Sequence, residues 1–209
     1  MHTKFKVITL DIKSFGETCC VLQSIVERSG FKPDCILGIE SGGRFVAERV
    51  FTSIPHCYTG LRRPSTDRRH GAMERGMRSV LRFTPRWICD LLRRFEARHL
   101  MKSAAGLSLS PEEIEKCMIK NAGRVNLPDL KEYRRILVVD DAVDSGMTLA
   151  SVVRKVRAEA PDAEIRSAVV TVTTPEPLFT PDYTIYNDNI LIRFPWSIDN
   201  LRPMTAEER

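Results

Sequence analysis

No stretch of the chain approaches the roughly 18 unbroken apolar residues that a membrane-spanning helix needs. No early segment has the basic, apolar and small-residue order of a secretory signal, so a cytoplasmic protein without a membrane span is expected. Internal repeats and low-complexity tracts are also missing, which argues against a stacked-repeat architecture and against a disordered linker. The cysteines, Cys19, Cys20, Cys35, Cys57, Cys89 and Cys117, include no C-x-x-C pair and no Cys/His cluster with zinc-site spacing. Reduced thiols that serve mainly as packing residues are expected, Cys35 within a buried strand.

What is there is a chain of 209 residues with 43% hydrophobic content, enough for one well-packed domain with a decorated loop. The net charge of +5 is unevenly placed. Residues 61 to 135 hold 18 Lys/Arg against 9 Asp/Glu, a balance of +9, and the remainder holds 14 against 18, a balance of −4. A surplus of that size can attract phosphates, nucleic acid or acidic lipid heads, or can simply form a solvated helical face.

The pattern along the chain alternates between strand and helix. "FKVITL" (5–10) reads as a strand and "GETCCVLQSIVERSG" (16–30) as a helix stopped by Gly30. "CILGI" (35–39) is a compact apolar run typical of a buried parallel strand, "ESGGRFVAERVF" (40–51) turns through two glycines into a helix, and "IPHCYTG" (54–60) is a further strand. Within the basic stretch, Trp87, Leu91 and Phe95 share a helical stripe, and Ser110, Pro111, Glu112 and Glu113 are helix-start signals. "RILVVDD" is a strand, "GMTLASVVRKVRAEA" a helix and "EIRSAVVTVTT" another strand. Such alternation implies a doubly wound α/β fold with a mostly parallel sheet. The tail "TPDYTIYNDNILIRFPWSID" suggests two short strands outside the main alternation. The expected division is a core of about 5–60 and 134–175, a basic helical insertion of about 61–133 and a small C-terminal hood of about 176–200, all in a single domain 1–209.

Two loops carry the chemistry. In an open parallel sheet, ligands bind beyond the carboxyl ends of the strands, where helix N-termini favour anions. Both "GIESGGR" and "VVDDAVDSGMT" occupy such positions. In the second, Ser145, Gly146 and Thr148 can wrap a phosphate with backbone amides and hydroxyls. Asp140 and Asp141 are acceptors suited to vicinal hydroxyls or to a hydrated magnesium ion, so acids beside a phosphate cup fit a sugar phosphate. A lone Asp-Asp often does no more than end a strand; the thirteen-residue string from Leu137 to Leu149 is more specific.

That string, "LVVDDAVDSGMTL", resembles the phosphoribosyl-pyrophosphate (PRPP) signature of type I phosphoribosyltransferases, with Ser145 where threonine is commoner. The resemblance implies that Asp140 and Asp141 bind the ribose hydroxyls and meet Mg2+, and that Ala142, Val143, Asp144, Ser145, Gly146, Met147 and Thr148 bind the 5-phosphate. "GIESGGR" is similar to the loop that holds pyrophosphate, which implies that role for Ser41, Gly42, Gly43 and Arg44. Arg62 and Arg63, with Arg68 and Arg69, would belong to a mobile lid over the pyrophosphate. Tyr58 would border the same site or pack in the core, and Arg193 would serve the site or guard a strand edge.

Asp144 is similar to the acid that 6-oxopurine phosphoribosyltransferases use near N7 of the base, which implies a catalytic proton acceptor. "VITLDI" and "PDYTIYNDNILIRFPW" resemble the two ends of xanthine-guanine phosphoribosyltransferases. The likeness places the base against Thr174, Leu191 and Ile192. Thr174 stands where such enzymes have a lysine that donates to the 6-oxo group, Leu191 stands where an aromatic residue stacks, and Ser41 stands where a basic residue is frequent. Losing the stacking contact costs on the order of 1 kcal/mol. The implied activity is transfer of the phosphoribosyl group of PRPP to a purine-like base in nucleotide salvage or related metabolism, by a dimer or tetramer. The alternative is a non-catalytic PRPP or nucleotide sensor whose basic insertion binds nucleic acid or a protein partner.

Overall fold

The two most apolar strands of the sequence lie side by side at the centre of the sheet. The computed structural model describes residues 6–61, 110–187, 190–197 and 200. Arg62, Arg63, Arg68, Arg69, Trp87 and Phe95 lie outside the described residues. The elements in chain order are β1 (Lys6–Thr9), α1 (Ile12–Arg28), β2 (Cys35–Ile39), α2 (Gly42–Ala47), β3 (His56–Leu61), α3 (Pro111–Ala122), β4 (Val125–Asn126), β5 (Arg135–Val143), α4 (Met147–Glu159), β6 (Glu164–Val172), β7 (Tyr183–Tyr186) and β8 (Ile190–Arg193).

Six strands form one sheet in the order β4-β3-β2-β5-β6-β7, and all its pairings are parallel except β3 with β4. Strand alternation gives it two buried faces. Ile36, Leu137, Val139, Ala168 and Val170 pack with Phe15, Leu22 and Val26 of α1 and with Val46 and Ala47 of α2. Cys35, Leu37, Ile136, Val138 and Val169 pack on the other face with Leu149, Val152, Val153 and Val156 of α4. This is the doubly wound, mostly parallel α/β architecture that the alternation implies.

Local signals explain most element ends. The first helix starts at Ile12, four residues before the glycine that the periodicity suggested. Asp11 caps it by accepting from Ser14 N at 2.8 Å, and Ser14 Oγ accepts from Asp11 N at 2.9 Å. Serine at that third helical position replaces the usual Glu or Gln, which hid the box. Ser110 and Glu113 form the same reciprocal cap on α3, with proline at its first turn. Helix α3 is tied to α4 by Glu115 and Arg154 at 3.0 Å, and β4 pairs with the end of β3. Val125 and Leu130 are buried under α4, so the end of the basic stretch is part of the core.

The tail differs from its expectation. Of the two short strands expected outside the main alternation, Tyr183–Tyr186 joins the large sheet parallel to β6, and Ile190–Arg193 pairs with β1 in a separate two-stranded parallel ribbon. The cause is Asp182. Its carboxylate accepts from Ser167 N at 2.8 Å and Ser167 Oγ at 2.7 Å, and from Arg166 Nη1 at 3.3 Å, which clamps the start of β7 to β6. Asp182→Ala would leave the fully buried Ser167 amide without this partner. A loss of about 1–3 kcal/mol is expected in urea unfolding, with Asp182→Asn retaining most of it; a loss too small to resolve would contradict the clamp.

Candidate active site

The order of the sheet locates a crevice. From β2 the chain crosses to β3 on one side, and from β5 it crosses to β6 on the other, so the direction reverses between β2 and β5. Ligands of such sheets bind beyond the carboxyl ends of the strands at that reversal. The parallel register runs from Cys35 opposite Ile136 to Gly38 opposite Val139, and it delivers Ser41–Arg44 and Asp140–Thr148 to the same edge.

The two loops touch through backbone. A methyl group added at Gly42 would collide with the Asp141 carboxylate, and one at Gly43 would lie 2.5 Å from Val139 O and 2.9 Å from Asp140 Cα. Only residues without a Cβ allow that approach. Ser41 precedes the six-residue helix α2 and is exposed, whereas Gly42 and Gly43 are buried. Arg44 is turned along its own helix: Nε lies 2.8 Å from Glu48 Oε1, and the guanidinium sits 5.3 Å from the centre of the half-buried Tyr58 ring.

Of the two acids, Asp140 is buried and Asp141 half-buried. Asp140 is 9% exposed and its Oδ1 accepts from Asp141 N at 2.9 Å; Asp141 Oδ1 accepts from Ala142 N at 2.9 Å. Trp196 Nε1 reaches Asp141 Oδ2 at 3.3 Å. Burial pushes the Asp140 carboxyl well above the usual carboxylate range, and the charge of Asp141 adds to the shift. Burial raises Asp141 too, opposed by its hydrogen bonds with Asp140, Trp196 and Ala142. Trp196 was not singled out from the sequence; its place next to Asp141 comes from stacking on Phe194, centroids 4.9 Å apart, and on Phe45 at 4.6 Å.

Strand β5 continues through Ala142 and the buried Val143, two residues beyond the paired acids at which its apolar run ends. Asp144 and Ser145 then form an exposed turn into α4, whose N-cap is Gly146 at φ +79° and has no side chain to cap the helix; Ser145 Oγ accepts only a long bond, 3.4 Å, from Met147 N. A Cβ at Gly146 would lie 2.7 Å from Phe179 N, so glycine answers both the left-handed φ and the lack of room. Met147, half-buried, opens α4, and Thr148 is exposed beside it. An uncapped helix start of this kind presents amides to an anion.

The residues expected around a base are divided. Thr174 Oγ1 donates to Asp144 O at 2.7 Å, and Thr173 Oγ1 donates to Asp144 Oδ1. Thr173 carries no signal in the sequence beyond preceding Thr174. Leu191 and Ile192 are buried in β8, Leu191 opposite Val7 and Ile192 within the core cluster that includes Phe15 and Phe194. Arg193 is buried as well and donates from Nη1 to Thr9 Oγ1 at 2.9 Å. Among the described residues, no group of three His, Cys, Asp or Glu is placed to hold a metal, and no helix is long and apolar enough to cross a membrane.

A carboxyl whose folded pKa lies above its unfolded value adds stability below the unfolded value, near 3.9 for aspartate, and loses it as pH rises through the folded one. Asp140→Asn removes both the buried charge and its repulsion of Asp141. The variant is expected to melt higher than the native chain at pH 7, with the gap closing toward pH 4. Thermal melts of both proteins across that range check this, and a gap independent of pH would contradict it.

Comparison with known proteins agrees with this fold. A family model described as the phosphoribosyl transferase domain matches residues 20–200. Among solved structures, the chain is similar to a purine phosphoribosyltransferase from Pyrococcus horikoshii Ot3, with 19% identity, a TM-score of 0.54 and coverage of 91% of this chain and 94% of that one. It is similar to the Helicobacter pylori xanthine-guanine-hypoxanthine phosphoribosyltransferase, with 16% identity, a TM-score of 0.59 and coverage of 93% and 96%. A hypothetical protein from Neisseria gonorrhoeae with bound ppGpp gives 15% identity, a TM-score of 0.52 and coverage of 96% and 94%. At such identities the likeness speaks for the fold. No curated protein sequence matches. Since the family match runs from within α1 to beyond β8 and takes in both loops of the crevice, the chain belongs to the phosphoribosyl transferase domain family.

Proposed function

We propose that this protein transfers the 5-phosphoribosyl group of PRPP to a purine-like base and releases pyrophosphate. The observation that carries the reading is the contact of the Gly42–Gly43 backbone with Asp140 and Asp141, beside the uncapped start of α4. One ligand that has a pyrophosphate, vicinal hydroxyls and a terminal phosphate on a single ribose matches those three features in that order.

In this reading the amides of Asp144–Thr148 and the hydroxyls of Ser145 and Thr148 hold the 5-phosphate, while Ala142 and Val143 shape the cup from the end of β5, the Ala142 amide being engaged by Asp141. Asp140 and Asp141 accept from the ribose hydroxyls, and the Ser41–Arg44 turn meets the pyrophosphate, Arg44 swinging away from Glu48. The bond from C1 to the pyrophosphate oxygen breaks, a bond from C1 to N9 of the base forms, and Asp144 accepts the proton that the base gives up at N7, on the other side of the imidazole ring. Thr174 meets the base beside Asp144, whereas Leu191 and Ile192 are buried in β8 and would have to be uncovered to line it.

The paired carboxylates are hard oxygen ligands, but two are too few for a resident metal cage. They suit a hydrated magnesium ion that arrives on the substrate phosphates, which Asp140 and Asp141 would meet and which would neutralise charge on the leaving pyrophosphate. A second reading, a nucleotide sensor without turnover, is favoured by one observation: Thr174 offers the base no cation and has already given its hydrogen to Asp144 O.

Incubation with PRPP, magnesium and a panel of bases, followed by pyrophosphate release, tests the choice. Base-dependent release is expected. If PRPP raises the melting temperature while no base is consumed, the sensor reading replaces transfer. Asp144→Asn is expected to lower turnover about 100-fold or more with PRPP binding largely kept; unchanged turnover would remove the proton-accepting role.

A further inference from the structure

The carboxyl ends of β5 and β6 meet at a rim of hydrogen-bond acceptors. Thr174 Oγ1 lies 2.7 Å from the backbone oxygen of Asp144. A carbonyl oxygen only accepts, so the one hydroxyl hydrogen of Thr174 is engaged there, and what remains on that oxygen is a lone pair. Thr173 Oγ1 faces two acceptors, Asp144 Oδ1 and Val143 O at 3.3 Å, with one hydrogen between them. Asp144 Oδ2 receives no hydrogen bond among the described residues, and Asp144 is exposed. Among the described residues the rim therefore offers oxygen lone pairs from three side chains, those of Asp144, Thr173 and Thr174, and none of these is a cation.

We infer that this site selects a heterocycle with an exocyclic amino group, such as a 6-aminopurine, over its 6-oxo counterpart. The inference rests on the transfer reading above, in which Asp144 meets a ring nitrogen. In a purine the substituent on C6 adjoins N7. A ring whose N7 edge faces Asp144 thus brings that substituent toward Thr174, whose hydroxyl is bonded to the same residue. An amino group there donates to Thr174 Oγ1 without disturbing the bond to Asp144 O. An oxo group sets oxygen against oxygen, and Thr174 can serve it only by releasing Asp144 O. Leaving a polar group facing a like partner costs more than a well-made bond gains, so a site with fixed hydrogen-bond polarity discriminates strongly between such analogues. Lysine at the same place would reverse the preference, because an ammonium group has three donors and no acceptor.

Calorimetric titration of the full chain with three nucleoside 5′-monophosphates, those of adenine, of hypoxanthine and of unsubstituted purine, reads this directly. The order adenine, purine, hypoxanthine is expected, with the first at least about tenfold tighter than the last. Thr174→Val, which keeps the shape and removes the hydroxyl, is expected to bring that ratio close to one, and Thr174→Lys to invert it. Hypoxanthine nucleotide binding as tightly as adenine nucleotide, a ratio unchanged in Thr174→Val, or no binding of any of the three would overturn the inference. Nucleotide binding needs no turnover, so the two readings fail separately. An adenine preference without pyrophosphate release removes transfer and keeps the selectivity, and release with hypoxanthine consumed as fast as adenine does the reverse.

Discussion

The contact between the glycine turn after β2 and the end of β5 sets the terms for the rest of this molecule. Parallel pairing from Cys35 opposite Ile136 to Gly38 opposite Val139 brings the two strand ends level, and the missing Cβ atoms at Gly42 and Gly43 let one backbone rest on the other. The contact buries the Asp140 carboxyl and partly covers that of Asp141, and loss of hydration disfavours their charged forms. A hydroxyl donor or a cation placed beside them would offset that cost.

Support for the pair comes from the residues that follow β8. Trp196 is stacked between Phe45 of α2 and Phe194, and Phe15 of α1 meets it edge-on with centroids 4.9 Å apart. Aromatic contacts of this kind add about 0.5–1.5 kcal/mol each to the area they bury. They also fix the direction of the indole N–H, which points at Asp141. Strand β8 is anchored to the large sheet by Thr171 Oγ1 donating to Ile190 O at 3.1 Å, and the chain beyond it to the start of α1 by Asn200 Nδ2 donating to Leu10 O at 3.3 Å. One aromatic cluster thereby joins α1, α2 and the segment after β8 to a single carboxylate.

Much of this was legible locally. The apolar runs of β2 and β5, the helical spacing in α1 and α4, and the cap at Ser110 are properties of neighbouring residues, and they specify the alternation that demands a parallel sheet. The acids, the Ser-Gly turn and the paired glycines could be recognised as anion and hydroxyl chemistry for the same reason, since each motif is contiguous. The start of α1 was missed because serine stands in for the usual acidic partner in its capping box. The placement of β7 was missed because the clamp from Asp182 to Ser167 spans fifteen residues and leaves no periodic trace.

By itself the sequence determined the class of fold and the chemical character of the two loops at its edge, because hydrophobic period and contiguous turn chemistry are short-range properties. Only the tertiary structure decided how those groups are used. The closeness of Gly42 to Asp141, the indole bond from Trp196, the turning of Arg44 onto Glu48 and the commitment of the Thr174 hydrogen to Asp144 all join or orient groups by packing. A threonine is donor and acceptor alike until a neighbour takes its hydrogen. Which of the two it offers a ligand is settled by distance in the folded chain.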